Sequence, residues 1–222
     1  MYNNKFKRFG GDWIQDIIQY LKEKIEDNPN ITISVGCDSI QKRRRTIYAC
    51  TVMIYDKDAR DGAHVVFFRE SHEKIRDTEQ RLYKEAILAY EIAEFLNKEL
   101  ESFYVRKDID VFERKKYKYH IKKCNGEIDF TPNNVDKYIE NITLNDHEKN
   151  INYKLVDIHV DFNPFEKTKQ LKGKTKKESF SDNKSVSAYR SYVPWLRGLQ
   201  YRVYSKPLAW AASSAADLLL QD

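Results

Sequence analysis

Two aspartates stand out for where they sit. Asp38 follows the run ITISVGC (31–37), and Asp161 follows LVDIHV (155–160). In the first run Ile31, Ile33, Val35 and Cys37 alternate with Thr32, Ser34 and Gly36, as in a well-buried strand. The second run is mostly apolar, with Leu155 on one face and Val156, Ile158 and Val160 on the other. That pattern fits a central strand covered on both sides. Each aspartate is therefore expected at the C-terminal end of a buried strand, where open α/β sheets build their sites. Carboxylates brought together there repel one another unless a cation joins them. The chemistry that suits such a site is phosphodiester hydrolysis. Negative charge grows on the attacking and leaving oxygens, and two divalent ions roughly 3.5–4 Å apart can clamp both. Mg2+ or Mn2+ takes hard oxygen ligands, which Asp and Glu supply.

Plainer readings stand beside these. Asp38 also fits a turn residue in DSIQ, and Asp161 also fits a cap for the loop that follows it. Asp157 shares strand parity with Asp161, but four strand residues separate the two by ~13 Å. It reads as a satisfied polar residue near the strand start. His159 lies between them on the same side, and is read as a hydrogen-bonded core histidine or, failing that, an outer metal ligand. His64, His72, His120 and His147 have no ligand spacing. Cys37, Cys50 and Cys124 form no CxxC pair, so they read as reduced thiols, with neither a zinc site nor a disulfide scaffold.

The elements that must position the aspartates follow from periodicity. Asp12 can cap a helix from Trp13 to about Glu26, with Trp13, Ile14, Ile17, Ile18, Leu21 and Ile25 in helical phase. After the strand that carries Asp38 come KRRR (42–45), a second strand (46–55), a turn in KDARDG (57–62) and a third strand from Ala63 to about Arg69. Three strands joined by short turns make an antiparallel meander. From Asp77 to Leu100 the period becomes helical, with Leu82, Ala86, Ala89, Ala93 and Leu96 on one face, Ile92 and Leu100 on its flank, and Thr78 as the expected cap. Residues 101–150 read as an insertion, with a hairpin about Asn125-Gly126 and a short helix over 131–142. A lysine-rich loop (164–182) follows Asp161. Then come a helix over 185–199 that Pro194 can kink, a short strand (201–205) and a final helix carrying Asp217.

This order is where a resemblance enters. The pieces VGCDS (35–39), QRLYKEAILAYEIAEFL (80–96), IHVDFN (158–163), NKS (183–185) and KPLAWAASSAAD (206–217) are similar to an uncharacterised bacterial family described as RNase H-like and typified by the YkuK proteins. The resemblance implies an α/β fold of the ribonuclease H-like type. That is a mixed sheet, a three-strand antiparallel meander plus parallel strands, with helices on both faces. Residues 1–30 then form an N-terminal leader and helix. Residues 31–222 form the domain, interrupted by the insertion and the lysine-rich loop. It implies four metal-binding catalytic carboxylates: Asp38 on the first strand, Glu85 on the helix after the meander, Asp161 on the fourth strand and Asp217 on the last helix. Glu79 and Glu91 are rivals to Glu85, which also fits a solvated helix residue paired with Arg81 or Lys84. Asp217 also fits an ordinary late-helix carboxylate. Where many RNase H enzymes have a mobile histidine, this chain has Ser205-Lys206-Pro207. The resemblance implies a bacterial or bacteriophage source.

The chain has 222 residues and a formal net charge of +5, which permits a phosphate-bearing partner without demanding one. Basic residues cluster at Lys5–Arg8, at Lys42, Arg43, Arg44 and Arg45, and from Lys167 to Lys177. The second and third clusters follow Asp38 and Asp161. Lys42 to Arg45, Lys172, Lys174, Lys176, Lys177, Lys184 and Lys206 are expected to contact the backbone of a nucleic acid: RNA, DNA or a hybrid. Solvated surface is the bland alternative. Tyr117, Tyr119 and Phe130 are candidates to stack on bases. The sequence has no G-x-S-x-G elbow, P-loop or dinucleotide fingerprint. With neither a secretory signal nor an apolar run of ~20 residues, a cytoplasmic protein is expected. The leading expectation is a divalent-metal-dependent nuclease. The alternatives are a non-catalytic nucleic-acid-binding or structural protein on the same fold, and strand transfer or resolution of branched DNA.

Overall fold

A computed structural model describes residues 2–28, 31–56, 63–106, 153–164, 168–171, 174–177, 180–206 and 208–220. The 57–62 turn, the hairpin and helix expected within 107–152, the three aromatic residues there, and Lys172 lie outside the described residues.

The elements run β1 (Lys7–Arg8), α1 (Ile17–Asp27), β2 (Ile31–Gln41), β3 (Arg45–Asp56), β4 (Ala63–Glu73), α2 (Thr78–Arg106), β5 (Asp157–Val160), β6 (Thr168–Leu171), β7 (Lys174–Lys177), α3 (Phe180–Gly198) and β8 (Val203–Tyr204). A π-helical turn, Ala211–Ala216, then leads into α4 (Asp217–Leu220). Six strands form one sheet in the order β1-β4-β3-β2-β5-β8. The meander β2-β3-β4 is antiparallel, while β5 runs parallel to both β2 and β8. This is the expected mixed α/β sheet.

The alternation read in the sequence decides the two faces. Ile33, Val35 and Cys37 of β2, Cys50 and Val52 of β3, Val66 and Phe68 of β4, and Ile158 and Val160 of β5 are buried in one core with α1, α2 and α3. On α2 the predicted stripe of Leu82, Ala86, Ala89, Ile92, Ala93, Leu96 and Leu100 is buried throughout. Each large apolar side chain hidden this way contributes roughly 1.5–3 kcal/mol. The opposite face of β2 and β3 carries smaller groups, Gly36, Ala49 and Thr51, and there the C-terminal helix settles. A Cβ added at Gly36 would stand 2.4 Å from the backbone nitrogen of Ala212. Glycine is what lets helix and sheet backbones approach this closely.

Three local expectations are corrected. Helix α1 starts at Ile17, and its cap is Asp16, whose Oδ1 accepts from the Ile18 and Gln19 amides at 2.9 Å. Asp12 and its neighbours are already committed to an extended N-terminal turn. Arg8 N–H donates to Asp12 O, and Ile14 N–H donates to Phe6 O. The turn itself is made by Gly10 and Gly11, both at positive φ. At α2 the cap is Asp77, which accepts from the Gln80 amide, with Thr78 one residue inside. The lysine-rich stretch read as loop contains the antiparallel ribbon β6-β7.

Candidate functional site

Strand register brings the two aspartates together. The parallel pairing of β2 with β5 ends at Cys37 opposite Val160, so Asp38 and Asp161 are the next residues on neighbouring strands. Adjacent strands lie about 4.8 Å apart, and residues in register point to the same face. Asp38 is not the end of its strand. β2 continues to Gln41, paired with β3, and Asp38 lies opposite Ala49. It marks the place where β5 stops and the sheet opens beside it.

Glu85 reaches this place from α2. It is buried, 2% exposed. Its Oε1 accepts from Ser39 Oγ at 2.5 Å and from Arg81 at 3.3 Å. Arg81 also donates to the backbone oxygen and hydroxyl of Ser39, both at 2.8 Å. Arg81 and Ser39 thus tie the first turns of α2 to the residue beside Asp38. The rivals sit elsewhere: Glu79 accepts from Ser187, and Glu91 accepts from Tyr2.

The carboxylates of the site act on one another through their charges. Burial pushes Asp38 up to about 6, and the charge of Asp161 pushes in the same direction. The Ser39 amide and Arg81 oppose the shift, and Asp217 adds to it. Glu85 is pushed up to about 8, first by burial and then by Asp38; Ser39 and Arg81 oppose this, and Asp161 reinforces it. Like charges out of water favour the protonated acid, so Asp161 raises both Asp38 and Glu85, and Asp38 raises Glu85. Asp217 is exposed at the start of α4 and contributes to Asp38 only through its charge.

Among the described residues, no three His, Cys, Asp or Glu side chains are gathered as they would be around a metal ion. Three of the carboxylates have one oxygen engaged elsewhere. Asp38 Oδ1 accepts from the Ser39 amide, Glu85 Oε1 is held by Ser39 and Arg81, and Asp161 Oδ2 pairs with Lys206 at 2.8 Å. The residues nevertheless suit a hard cation. Glu85 Oε2 and Asp161 Oδ1 are buried and have no hydrogen-bond partner. A buried carboxylate oxygen left in this state is costly, and a divalent ion is the kind of ligand that such oxygens take. The Tyr48 hydroxyl, also buried and unpartnered, stands on β3 opposite Ser39.

A family model described as ribonuclease H-like matches residues 12–133, more than half of the chain. The chain belongs to the ribonuclease H-like family. The matched region contains Asp38 and Glu85. Asp161, Asp217 and the pieces at 158–163, 183–185 and 206–217 lie beyond it, and strand register and helix packing join Asp161 and Asp217 to the site. No curated protein and no solved structure matched the chain.

Asp157, the other acid of β5, is satisfied by Arg202 at 2.6 Å. His159 is a core histidine: its Nδ1 accepts from the Ala211 amide at 3.1 Å, and burial pushes its pKa down to about 3. The neutral ring and Thr51, whose hydroxyl donates to Ala211 O at 2.7 Å, pin the start of the C-terminal helix. Lys42, Arg43, Arg44 and Arg45 are exposed at the β2-β3 turn. Lys174, Lys176 and Lys177 lie on β7. Lys184 pairs with Asp77. Lys206 faces Asp161 within the site. Nothing in the spacing of the sequence singles out Ser39, and it suggests for Arg81 only a surface pairing. The roles of both depend on strand register, which spacing does not reveal. No helix among the described residues is long and apolar enough to cross a membrane.

Proposed function

We propose that this chain is a divalent-metal-dependent phosphodiester hydrolase acting on nucleic acid. The observation that carries the reading is the pair of buried, unpartnered oxygens, Glu85 Oε2 and Asp161 Oδ1, near a carboxylate, Asp38, that feels the charge of Asp161 and itself acts on Glu85. Asp38 and Asp161 are the residues to hold two Mg2+ or Mn2+ ions, with Glu85 and Asp217 completing the set. Ions of this kind stabilise the charge that develops on the oxygens of a phosphodiester. The chain's own residues do the rest. Ser39 and Arg81 fix the Glu85 carboxylate so that it can orient a water. Lys206 balances Asp161 before ligands arrive. The exposed Lys42–Arg45 turn and the lysines of β7 offer contacts to a phosphate backbone without reading its bases.

A second reading has its own observation. Arg81 and Lys206 already pair with Glu85 and Asp161, and a site neutralised from within suits a protein that binds nucleic acid without cutting it. Calorimetric titration with Mn2+, followed by a panel of single-stranded, duplex and hybrid substrates, separates the two. For the hydrolase, Asp38→Asn abolishes the binding heat and lowers cleavage about a hundredfold or more, the usual scale for losing one preorganised electrostatic group. Wild-type protein that takes up no Mn2+ and cuts nothing leaves the non-catalytic reading in place, and an Asp38→Asn variant that cuts as well as wild type takes the cleavage away from this carboxylate site.

A further inference from the structure

The basic cluster at the N-terminus plays no part in the metal site, yet it lies on the same sheet. Strand β1 pairs with β4, Lys7 opposite Phe67, and Trp13 bridges back to Lys7. The C-terminal helix covers β2 and β3 on this face and stops there. Its last apolar cluster, with Ala216, Leu219 and Leu220, touches Phe67. Among the described residues of β4 past Phe67, Arg69, Ser71 and Glu73 are exposed, while Val66 and Phe68 are buried. At the β1 edge of the sheet, Phe9 and Trp13 are 61% and 63% exposed. Phe9 meets Phe67 edge-on with ring centroids 6.3 Å apart, and Lys7 Nζ lies 4.2 Å from the centre of the Trp13 ring.

A folded chain gains nothing by exposing two large aromatic rings, and scattered surface residues are not normally so grouped. Their setting is basic: residues 5–14 carry Lys5, Lys7 and Arg8 against one acid, Asp12. Rings stack on the π-faces of bases that duplex pairing would hide, and the cations meet the phosphates between those bases. An acidic protein surface would answer the cations but not the rings, and an apolar protein would answer the rings but not the cations. We infer that the open half of this sheet face, formed by Phe9, Trp13, Phe67 and Lys7, is a platform for unpaired nucleotides of a single-stranded nucleic acid. The helix carrying Asp217 borders the platform, so a strand lying on it continues toward the candidate metal site. The inference shares with the proposed function a nucleic-acid partner, but it does not require cleavage.

The test is fluorescence anisotropy with labelled single-stranded dT and rU 20-mers and a matched duplex, in EDTA, on wild type, Phe9→Ala/Trp13→Ala and Trp13→Phe. Losing two stacking rings is expected to weaken single-strand binding at least about tenfold, with much less effect on the duplex. Trp13→Phe retains most of the affinity. The single variant Trp13→Phe guards against misfolding: its ring is smaller but still stacks, so folding and stacking losses separate. The inference is overturned by wild-type protein that binds no single strand, by an unchanged affinity in the folded double variant, or by an equal loss on duplex. It is also overturned if sedimentation shows the double variant turning a wild-type dimer into monomer, which would make the patch a contact between copies. None of these outcomes touches the metal site, which stands or falls on cleavage by Asp38→Asn.

Discussion

Glu85 is an acid that the fold holds in its protonated form. Its carboxyl is buried beside Asp38, and the two hydrogen-bond donors at Ser39 and Arg81 only partly offset the cost of charging it. The unfolded chain releases this proton near the ordinary value of 4.5, and the folded chain releases it at about 8. Between those values the native state binds more protons than the unfolded state, so stability falls as pH rises through that window. Asp38 adds a narrower loss between 3.8 and about 6. Glu85→Gln keeps an acceptor for Ser39 and removes the titration. It is expected to match wild type below about pH 4.5 and to be more stable above pH 8 by roughly 2–4 kcal/mol. Calorimetric melts in EDTA from pH 4 to 9 check this, and a constant difference across the range would sink it. The same charge is what a cation relieves. Millimolar Mn2+ is therefore expected to raise the melting temperature of wild type more at pH 8 than at pH 5, and to do little for Asp38→Asn. Equal shifts at both pH values would mean that the ion binds elsewhere.

At the scale of elements, the site depends on how closely a helix can approach a strand. Gly36 lies two residues before Asp38, directly under the backbone of Ala211 and Ala212. A methyl group there meets main chain, which cannot swing away as a side chain can. Gly36→Ala is expected to cost about 1–3 kcal/mol, the usual range for overpacking. It should also lift the C-terminal helix off His159 and Thr51, carrying Asp217 with it. Urea denaturation measures the first effect, and weakened Mn2+ affinity reveals the second. A variant with wild-type stability would show that helix and sheet are less tightly joined than they stand here. The two halves of this arrangement are not equally legible in the sequence. Asp38 and Asp161 can be read because two apolar runs each end in an aspartate, and a parallel register does the rest. The stripe on α2 can be read because its period is local. Ser39 and Lys206 cannot, since their partners lie on other elements, and for Arg81 only its pairing with Glu85 on the same helix can be read: Arg81 and Ser39 are separated by 42 residues, and which face of β2 they meet follows only from pairing. The N-terminal residues mislead for a related reason. Trp13 and Ile14 fit a helical period, but pairing of the segment with β4 takes them into a turn, and tertiary packing overrides local pattern.

For the whole molecule, the question is how a mildly basic chain holds a polyanion near an acidic pocket. The charges of Asp38, Asp161 and Asp217 repel phosphate until cations are bound. The four cations of the 42–45 turn are the nearest counterweight along the chain. Residues 38 and 42 are four strand positions apart, about 13 Å, close enough to the site for one phosphate backbone to span both. All four side chains are exposed, so none is needed for the core. Replacing Lys42, Arg43, Arg44 and Arg45 together by Ala should therefore leave the melting temperature almost unchanged. If the turn binds phosphates, every cation that no longer neutralises one leaves a condensed counterion on the strand. The slope of log affinity against log salt then becomes shallower by about 0.7 per phosphate on single strands and about 0.9 on duplex. The weakening should be the same for every sequence tested, because phosphate contacts position a strand without reading it. Binding isotherms between 50 and 200 mM salt supply the slopes. Weaker binding with an unchanged slope would mean that the turn acts through shape, and unchanged binding would move the electrostatic footprint to the β6-β7 ribbon.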